Sequence, residues 1–182
     1  MADSTETGQR IERDGFGDIA VSAEAYWGAQ TQRSLDLFSI GSECMPSVFV
    51  RAYALLKRVA AETNAELGEL DPGVAEQIVA AAREVEEGEL RDAFPLRIWQ
   101  TGSGTQTHMN LNEVIAGRAN ERAGRERGGR SPIHPNDHVN RGQSTNDTFP
   151  TAMHLATLLE LDQRLEPALS QLLATLDRQA VD

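Results

Sequence analysis

Two polar segments of the chain carry side chains suited to binding a small anion. The first, TGSGTQTHMN at residues 101–110, holds three threonines, a serine and two glycines, and it leads into a predicted helix. Backbone N–H groups at a helix N-terminus lack partners, so they and the hydroxyls of Ser103 and Thr105 suit a carboxylate. The alternative is that Gly102 and Gly104 only shape a turn and that a threonine caps the helix. The segment by itself favours neither interpretation.

The second segment, HPNDHVNRGQSTND at residues 134–147, contains two histidines, two aspartates, three asparagines and a glutamine. Such a stretch is typical of a solvated loop or of a binding surface. His134 and His138 are four residues apart, as some metal ligands are, but Pro135 argues against a regular helix through them and no third ligand is apparent. No metal site is therefore expected. His108, in the first segment, is suggestive but could equally point to solvent.

Composition narrows the classes of partner. The 182 residues include 17 Lys and Arg against 28 Asp and Glu, which gives a formal net charge of -11 and a pI near 4.8. This balance disfavours nucleic acids and anionic membranes as partners. It does not exclude an acidic ligand, because a small site can be locally rich in donors whatever the whole surface carries.

Cysteine usage and the N-terminal segment bear on the compartment. Cys44 is the only cysteine, so this chain alone cannot form an internal disulfide or hold an iron-sulfur cluster. The first ten residues, MADSTETGQR, lack the apolar region of a signal peptide, and no apolar run is long enough to span a bilayer. These features predict a soluble, cytoplasmic protein.

The hydrophobic pattern predicts a mostly α-helical fold. Residues 10–21 suggest a small β-hairpin with a glycine-assisted turn. A first helix is predicted to run from about Val48 to Gly68. In the next helix, Asp71 is the expected N-cap and Gly88 the expected stop. A further helix is predicted over 109–121, after the first polar segment.

The last part of the chain predicts one long helix. It follows an arginine- and glycine-rich stretch, residues 122–132, which is predicted to be a mobile loop. Asn146 or Asp147 is expected to cap the long helix, with Pro150 in its first turn and a kink at Pro167. Leucines recur at spacings of three and four, and nothing later in the chain is available to pack against them. This leucine seam comprises Leu158, Leu161, Leu165, Leu169, Leu172 and Leu176.

Four blocks of the sequence resemble the class II fumarase branch of the aspartase and fumarase superfamily. They are WGAQTQRS at 27–34, FPLRIWQTGSGTQ at 94–106, MNLNEVIAGRA at 109–119 and HPNDHVNRGQSTNDTFPTAMH at 134–154. They occur in the family's order. The resemblance implies an N-terminal helical domain with a small hairpin at 1–143 and the first part of a long-helix bundle domain at 144–182.

The resemblance also implies which residues bind a dicarboxylate. Two loops hold the substrate in the family, and the matching residues are Ser103, Gly104 and Thr105 in one loop and Ser144, Thr145 and Asn146 in the other. A second, peripheral dicarboxylate site matches His134, Pro135, Asn136 and Asp137. Both substrate loops coincide with the segments that their composition already marked as suited to an anion.

The implied reaction is the reversible addition of water to fumarate to give L-malate, without a metal or other cofactor, in a homotetramer. The family's proton-transferring histidine and serine, and its GSSxMPxKxN signature, have no match within this chain and would lie beyond Asp182. We therefore expect no catalytic residue here and no activity from the chain alone. Two alternatives are an aspartase-like ammonia-lyase, which the GSGTQ motif disfavours, and a non-catalytic dicarboxylate-binding fragment.

Overall fold

The computed structural model describes residues 8–181. Most of the polar N-terminal segment, residues 1–7, lies outside the described part. The predicted fold class is confirmed, since the described chain is mainly helical with one two-stranded antiparallel sheet. None of the helices in residues 8–181 is both long enough and apolar enough to cross a membrane.

The predicted hairpin is confirmed. Strand β1, Gln9–Asp14, pairs with strand β2, Gly17–Ser22, in a register that places Asp14 opposite Gly17. The Asp14 carboxylate accepts a hydrogen bond from the Phe16 backbone N–H at 2.8 Å, and Gly17 supplies a φ of 107°. This local chemistry closes the turn. Arg33 also binds Asp14, at 2.8 Å, and ties the hairpin to the following helix.

Helix α1, Ala29–Leu37, was not predicted. Its sequence, AQTQRSLDL, has almost no apolar stripe, and its N-cap, Gly28, has no capping side chain. The cap comes from elsewhere in the chain, because the buried carboxylate of Glu113 accepts hydrogen bonds from three backbone N–H groups at the start of α1. No local sequence pattern predicts such a helix.

The two predicted helices are confirmed as α2, Ser47–Glu66, and α3, Pro72–Glu87, and they pack against each other. The Asp71 carboxylate accepts hydrogen bonds from the N–H groups of Gly73 and Val74, at 2.8 and 3.1 Å. Gly88 ends α3 in the left-handed conformation, with a φ of 88°. Both helix boundaries therefore follow from local sequence signals.

Helix α4, Thr105–Arg122, is the central helix of the core. It begins four residues before the predicted start at Met109, so the first polar segment contributes its first turn. Asn120 on α4 exchanges two hydrogen bonds with the backbone of Ile133, at 2.8 and 3.0 Å. The fully buried apolar side chains of α4 are Leu111, Val114, Ile115, Ala116 and Ala119.

The arginine- and glycine-rich stretch after α4 is irregular, as expected, and it is held by specific contacts. The Arg127 guanidinium donates to the carboxylate of Glu121 at 2.9 Å and to the backbone carbonyl of Glu24 at 2.7 Å. It also stacks over the Tyr26 ring, 4.3 Å from the ring centre. The stretch is therefore anchored to the hairpin side of the molecule.

The long helix consists of α5, Thr145–Glu160, a π-helical segment, Leu161–Leu165, and α6, Glu166–Val181. The predicted cap was wrong, because Ser144 occupies the N-cap and its backbone carbonyl accepts the first helical hydrogen bonds. Pro150 is the sixth helical residue and lies beyond the first turn. The π-helical segment lies just before Pro167, which lacks the N–H that a regular helix would use.

The N-terminal half of the long helix packs on α2, and the rest leaves its apolar side chains exposed. Ala152 and Ala156 are buried, whereas Leu158 is 61% exposed and Leu169 is 56% exposed. The other leucines of the seam are exposed to a similar degree. Within residues 8–181, the seam thus has no element packed against it, as the sequence predicted.

Candidate functional site

The first polar segment forms a loop of exposed hydroxyls at the start of α4. The Ser103 Oγ lies 3.3 Å from the Thr101 Oγ1 and 3.1 Å from the Thr105 Oγ1. Gln106 accepts a hydrogen bond from the Thr101 N–H at 3.0 Å and so holds the loop closed. The Gln100 Oε1 accepts a hydrogen bond from the Thr107 N–H at 3.0 Å, which leaves the N–H groups of Thr105 and Gln106 in the first turn of α4 available to an anion.

Gly104 lets this loop approach α5. Its φ is 74°, and a Cβ added there would overlap the ring of Phe149 on α5. Only glycine combines the left-handed backbone with the absence of a side chain that this contact needs. The close approach brings the N-terminal turns of α4 and α5 together.

The second predicted substrate loop begins α5, and a hydrogen bond joins it to α4. Thr145 is the first residue of α5, and its Oγ1 lies 2.6 Å from the Nδ1 of His108. Ser144 and Asn146, on either side of it, are exposed. The structure therefore places two of the three predicted groups, Ser103–Thr105 and Ser144–Asn146, at adjoining helix N-termini.

Behind this hydrogen bond lies Lys57, which the sequence analysis did not single out. Its Nζ is 2.6 Å from the Nε2 of His108, 2.8 Å from the Oε1 of Gln143 and 3.2 Å from the Oδ1 of Asn140. The side chain is 0% exposed. Lys57, His108 and Thr145 therefore form a continuous chain of contacts, here called the Lys57 relay, from the core to the site.

The Tyr53 ring packs against both Lys57 and His108 of the Lys57 relay. Its ring stacks on the imidazole of His108, with 5.4 Å between the ring centres, and the Lys57 Nζ lies 5.7 Å from the centre of the same ring. The Tyr53 hydroxyl lies 2.7 Å from the Oγ1 of Thr148 on α5. Burial raises the pKa of Tyr53 well above its ordinary value, so this hydroxyl stays protonated.

Burial also governs the charges of the two basic groups. Desolvation lowers the pKa of Lys57 well below its ordinary value. Desolvation, followed by repulsion from Lys57, lowers the pKa of His108 to about 3. The imidazole is therefore neutral near pH 7, with a proton on only one of its two nitrogens.

The third predicted group, His134–Asp137, lies apart from the two loops. The Nδ1 of His134 accepts from the N–H groups of Asn136 and Asp137, both at 3.2 Å, and so caps the short π-helical turn Pro135–Val139. Among the described residues, no hydrogen bond joins this group to Ser103–Thr105 or Ser144–Asn146. Pro135 is buried, whereas Asn136 and Asp137 are exposed.

The paired histidines His134 and His138 use their Nδ1 atoms locally. The Nδ1 of His138 accepts a hydrogen bond from the backbone N–H of His134 at 2.8 Å. Across residues 8–181, no three His, Cys, Asp or Glu side chains are grouped as ligands of one metal ion would be. The four-residue spacing is thus accounted for by the local backbone.

One functional residue, Lys57, could have been found from the sequence, whereas the orientation of His108 could not. Lys57 is the only lysine beside sixteen arginines, and it falls within the apolar face of a predicted helix. A lone, non-arginine cation in such a place is a signal of a specific role. By contrast, the direction of His108 depends on where α2 lies, and the structure shows that it faces the interior with 1% exposure.

The site as a whole can bind a small anion. It offers hydroxyls and backbone N–H groups at two helix N-termini, where the helix dipoles favour negative charge. Its basic groups, Lys57 and His108, lie on the interior side of the hydroxyls. A dicarboxylate is a suitable ligand, because each helix N-terminus can receive one carboxylate.

Comparison with known proteins agrees with this geometry. A protein-family model described as lyase matches residues 17–182. The class II fumarate hydratase of Rickettsia felis is 55% identical over 173 residues, which are 95% of this chain and 38% of that protein. The Bordetella parapertussis protein of the same name is 60% identical over 92% of this chain and 36% of its own length.

Solved structures give the same result. The class II fumarase of Schistosoma mansoni superposes with a TM-score of 0.91 at 46% identity, over 94% of this chain and 36% of that chain. A Brucella melitensis structure described as fumarate lyase:delta crystallin gives a TM-score of 0.82 at 43% identity, over 85% of this chain and 35% of that chain. This chain spans well under half the length of the relatives that it matches. By sequence and by fold, it belongs to the lyase family, with class II fumarases as its relatives.

Proposed function

We propose that this chain supplies the dicarboxylate-binding loops of a fumarate hydratase, which interconverts fumarate and L-malate. The observation that carries the proposal is the 2.6 Å contact between His108 and Thr145, which joins two donor-rich helix N-termini in one site. The relatives named fumarate hydratase class II, at 55 and 60% identity, support the choice of reaction.

The proposed role of these loops is electrostatic. Removing the C3 proton of malate builds negative charge on the neighbouring carboxylate, and donors placed in advance stabilise that charge. Ser103, Thr105 and Thr145 carry hydroxyls, and the first turns of α4 and α5 carry free N–H groups. The proton-transferring groups are proposed to lie in the part of the relatives that this chain does not span.

Three further expectations belong to the same proposal. The exposed leucine seam on the long helix supports a homotetramer, since such a surface suits a helix bundle. The continuous helix that starts after Ser144 supports a domain boundary between residues 143 and 144. His134–Asp137 is proposed as the second dicarboxylate site, and its exposed Asn136 and Asp137 are accessible to a ligand. A cytoplasmic location remains part of the proposal.

A chimera tests the reaction. Residues 8–181 would replace the matching segment of the Rickettsia felis enzyme, and fumarate consumption would be followed by its ultraviolet absorbance. We expect the chimera to turn over fumarate and the 182-residue chain alone to show no turnover. An inactive chimera that is folded and assembled like its host would contradict the proposal, and so would full activity of the isolated chain.

Thr145 provides a matched pair of variants in that chimera. Thr145→Val removes the hydroxyl and keeps the shape of the side chain, whereas Thr145→Ser keeps the hydroxyl. If Thr145 contacts the dicarboxylate, kcat/KM should fall at least about tenfold in the valine variant, which corresponds to roughly one lost hydrogen bond. The serine variant should retain most of the activity. Equal activity of both variants would remove Thr145 from the site.

A further inference from the structure

The amides around Lys57 have a defined orientation. The Nδ2 of Asn140 donates to the Gln143 backbone carbonyl at 3.4 Å, and the Nε2 of Gln143 donates to the Val139 carbonyl at 3.0 Å. Because both NH₂ groups are occupied in this way, both amide oxygens face the Lys57 Nζ. An oxygen can only accept, so Lys57 donates two of its hydrogens to these amides whether it is charged or neutral.

The third contact of Lys57 then depends on its charge. A charged ammonium has a third hydrogen, which it donates to the Nε2 of His108 at 2.6 Å. A neutral amine has a lone pair in that place, so it accepts a hydrogen from Nε2 instead. Since the imidazole is neutral, its single proton lies on Nδ1 in the first case and on Nε2 in the second.

The other ring nitrogen of His108, Nδ1, contacts Thr145, so the direction of that hydrogen bond also depends on the charge of Lys57. With Lys57 charged, Nδ1 carries the proton and donates to the Thr145 Oγ1, 2.6 Å away, and the hydroxyl hydrogen is free to point into the site. With Lys57 neutral, Nδ1 accepts the hydroxyl hydrogen, and Thr145 presents only lone pairs to a ligand. A carboxylate needs a donor and is repelled by lone pairs.

We infer that Lys57 acts as a positioning residue that sets the direction of the hydrogen bond between His108 and Thr145, so that a carboxylate binding at Thr145 is coupled to uptake of one proton by Lys57. The proton comes from solvent and resides on the Nζ, while the proton of His108 moves from Nε2 to Nδ1. No covalent bond other than these N–H bonds changes. The inference rests on the proposed function only for the identity of the ligand.

The groups around Lys57 do not fix its charge, so a bound carboxylate can change it. The titratable groups that face it are Tyr53 on α2 and His108 on α4, and both are uncharged near pH 7. In the described part of the chain, the Nζ contacts one imidazole nitrogen and two amide oxygens and forms no ion pair with a carboxylate. Burial favours the neutral amine, and a dianion bound at Thr145 favours the charged one.

A single NMR signal reports the charge of Lys57, because it is the only lysine in the chain. The purified 182-residue chain would be labelled with ¹⁵N at the lysine Nζ and at the histidine ring nitrogens, and titrated with acid and base. We expect the Lys57 midpoint well below that of an ordinary lysine, and we expect the proton of His108 to move between Nε2 and Nδ1 at the same midpoint. An unchanged His108 tautomer across the Lys57 titration would overturn the inference.

The variant Val59→Lys supplies the reference in the same spectrum. Val59 is on α2 and is 46% exposed, so a lysine there should titrate near its ordinary value. Its ¹⁵N signal should show no link to the tautomer of His108. If both lysines titrated together at the ordinary value, the buried position of Lys57 would be contradicted and the inference would fail.

The second experiment measures the coupling to the ligand in the chimera with residues 8–181. The KM for fumarate should rise by up to tenfold per pH unit above the midpoint of Lys57 in the free enzyme. Lys57→Met should abolish this rise and give a high KM even at low pH. Lys57→Arg should keep the positive charge, so its KM should stay low and should not change with pH. An active chimera whose unsubstituted form shows no such rise would overturn the inference alone.

The two experiments separate this inference from the proposed function. An inactive chimera would contradict the proposed hydratase, but it would leave the tautomer measurement to decide the coupling. If Lys57→Met does not fold, Thr145→Val serves instead, because it cuts the relay at its outer end without exposing Lys57. The pH dependence of KM should then disappear, and its persistence in Thr145→Val would count against the relay.

Discussion

The carboxylate of Glu113 on α4 receives the backbone N–H of Thr31 on α1, with 3.0 Å between the Oε2 and the nitrogen. The same carboxylate accepts from Gly28 and Gln30, both at 2.9 Å. A residue 82 positions later in the chain therefore performs the task of an N-cap. Burial raises the pKa of Glu113, although these N–H donors oppose that effect.

Glu113→Gln should destabilise the protein by about 2–3 kcal/mol, because one acceptor oxygen is replaced by a donor that faces backbone N–H groups. Urea-induced unfolding measures this loss. The matched control is Glu62→Gln on α2, which removes a partly exposed ion pair with Arg58 and should cost less than about 1 kcal/mol. Equal losses in the two variants would show that the cap contributes no more than a surface pair.

Gly104→Ala should disturb the junction of α4 and α5. The added Cβ must adopt a φ of 74° and displace the ring of Phe149, and together these effects should cost about 2–4 kcal/mol. The control is Gly102→Ala in the same loop, where a Cβ meets no atom within 4 Å. Unfolding free energies of the two variants that differ by less than about 1 kcal/mol would contradict the close approach.

Acid should destabilise the protein through His108. Its folded-state pKa of about 3 is below the ordinary value of 6.5, so the unfolded chain binds a proton in this interval and the folded chain does not. The contribution of His108 to stability is therefore complete above pH 6.5 and is lost as the pH falls from 6.5 to 3. The free energy of unfolding should decrease by up to about 1.4 kcal/mol per pH unit.

His108→Gln isolates this effect, since glutamine has no titrating group. The slope of unfolding free energy against pH between 6.5 and 4 should be smaller in this variant. His154→Gln is the matched control, because His154 is exposed and the same substitution there leaves the buried His108 in place. If His108→Gln kept the original slope, the buried histidine would not be the source of the acid sensitivity.

The isolated chain should self-associate through the leucine seam. Leu169 and Leu172 are 56 and 55% exposed, and covering such side chains is favourable by about 1.5–3 kcal/mol each. The double variant Leu169→Gln/Leu172→Gln should therefore weaken association at least about tenfold in sedimentation velocity. Gln171→Ser, on the same helix, should not change it. A single sedimentation boundary of monomer size for the unsubstituted chain at high concentration would contradict the expectation.

Helix ends and turns that are set by neighbouring residues could be predicted from the sequence. Asp71 caps α3 and Gly88 ends it because each uses only its own backbone neighbourhood, so the sequence alone locates these boundaries. The hairpin at residues 9–22 is similar, since Asp14 and Gly17 close its turn. The cap of α5 was misplaced because Ser144, Asn146 and Asp147 are all good capping types and the propensities do not separate them.

The amino-acid sequence by itself determined the helical class, the two hydroxyl-rich segments and the resemblance to class II fumarases, since these follow from residue types and short spacings. Only the tertiary structure decided that α1 is a helix, that His108 turns inward, and that Lys57 lies behind Thr145. The physical reason is that each depends on a partner far along the chain. Glu113 completes α1, and Lys57 and Thr145, 88 residues apart, meet only because α2, α4 and α5 pack around one buried imidazole.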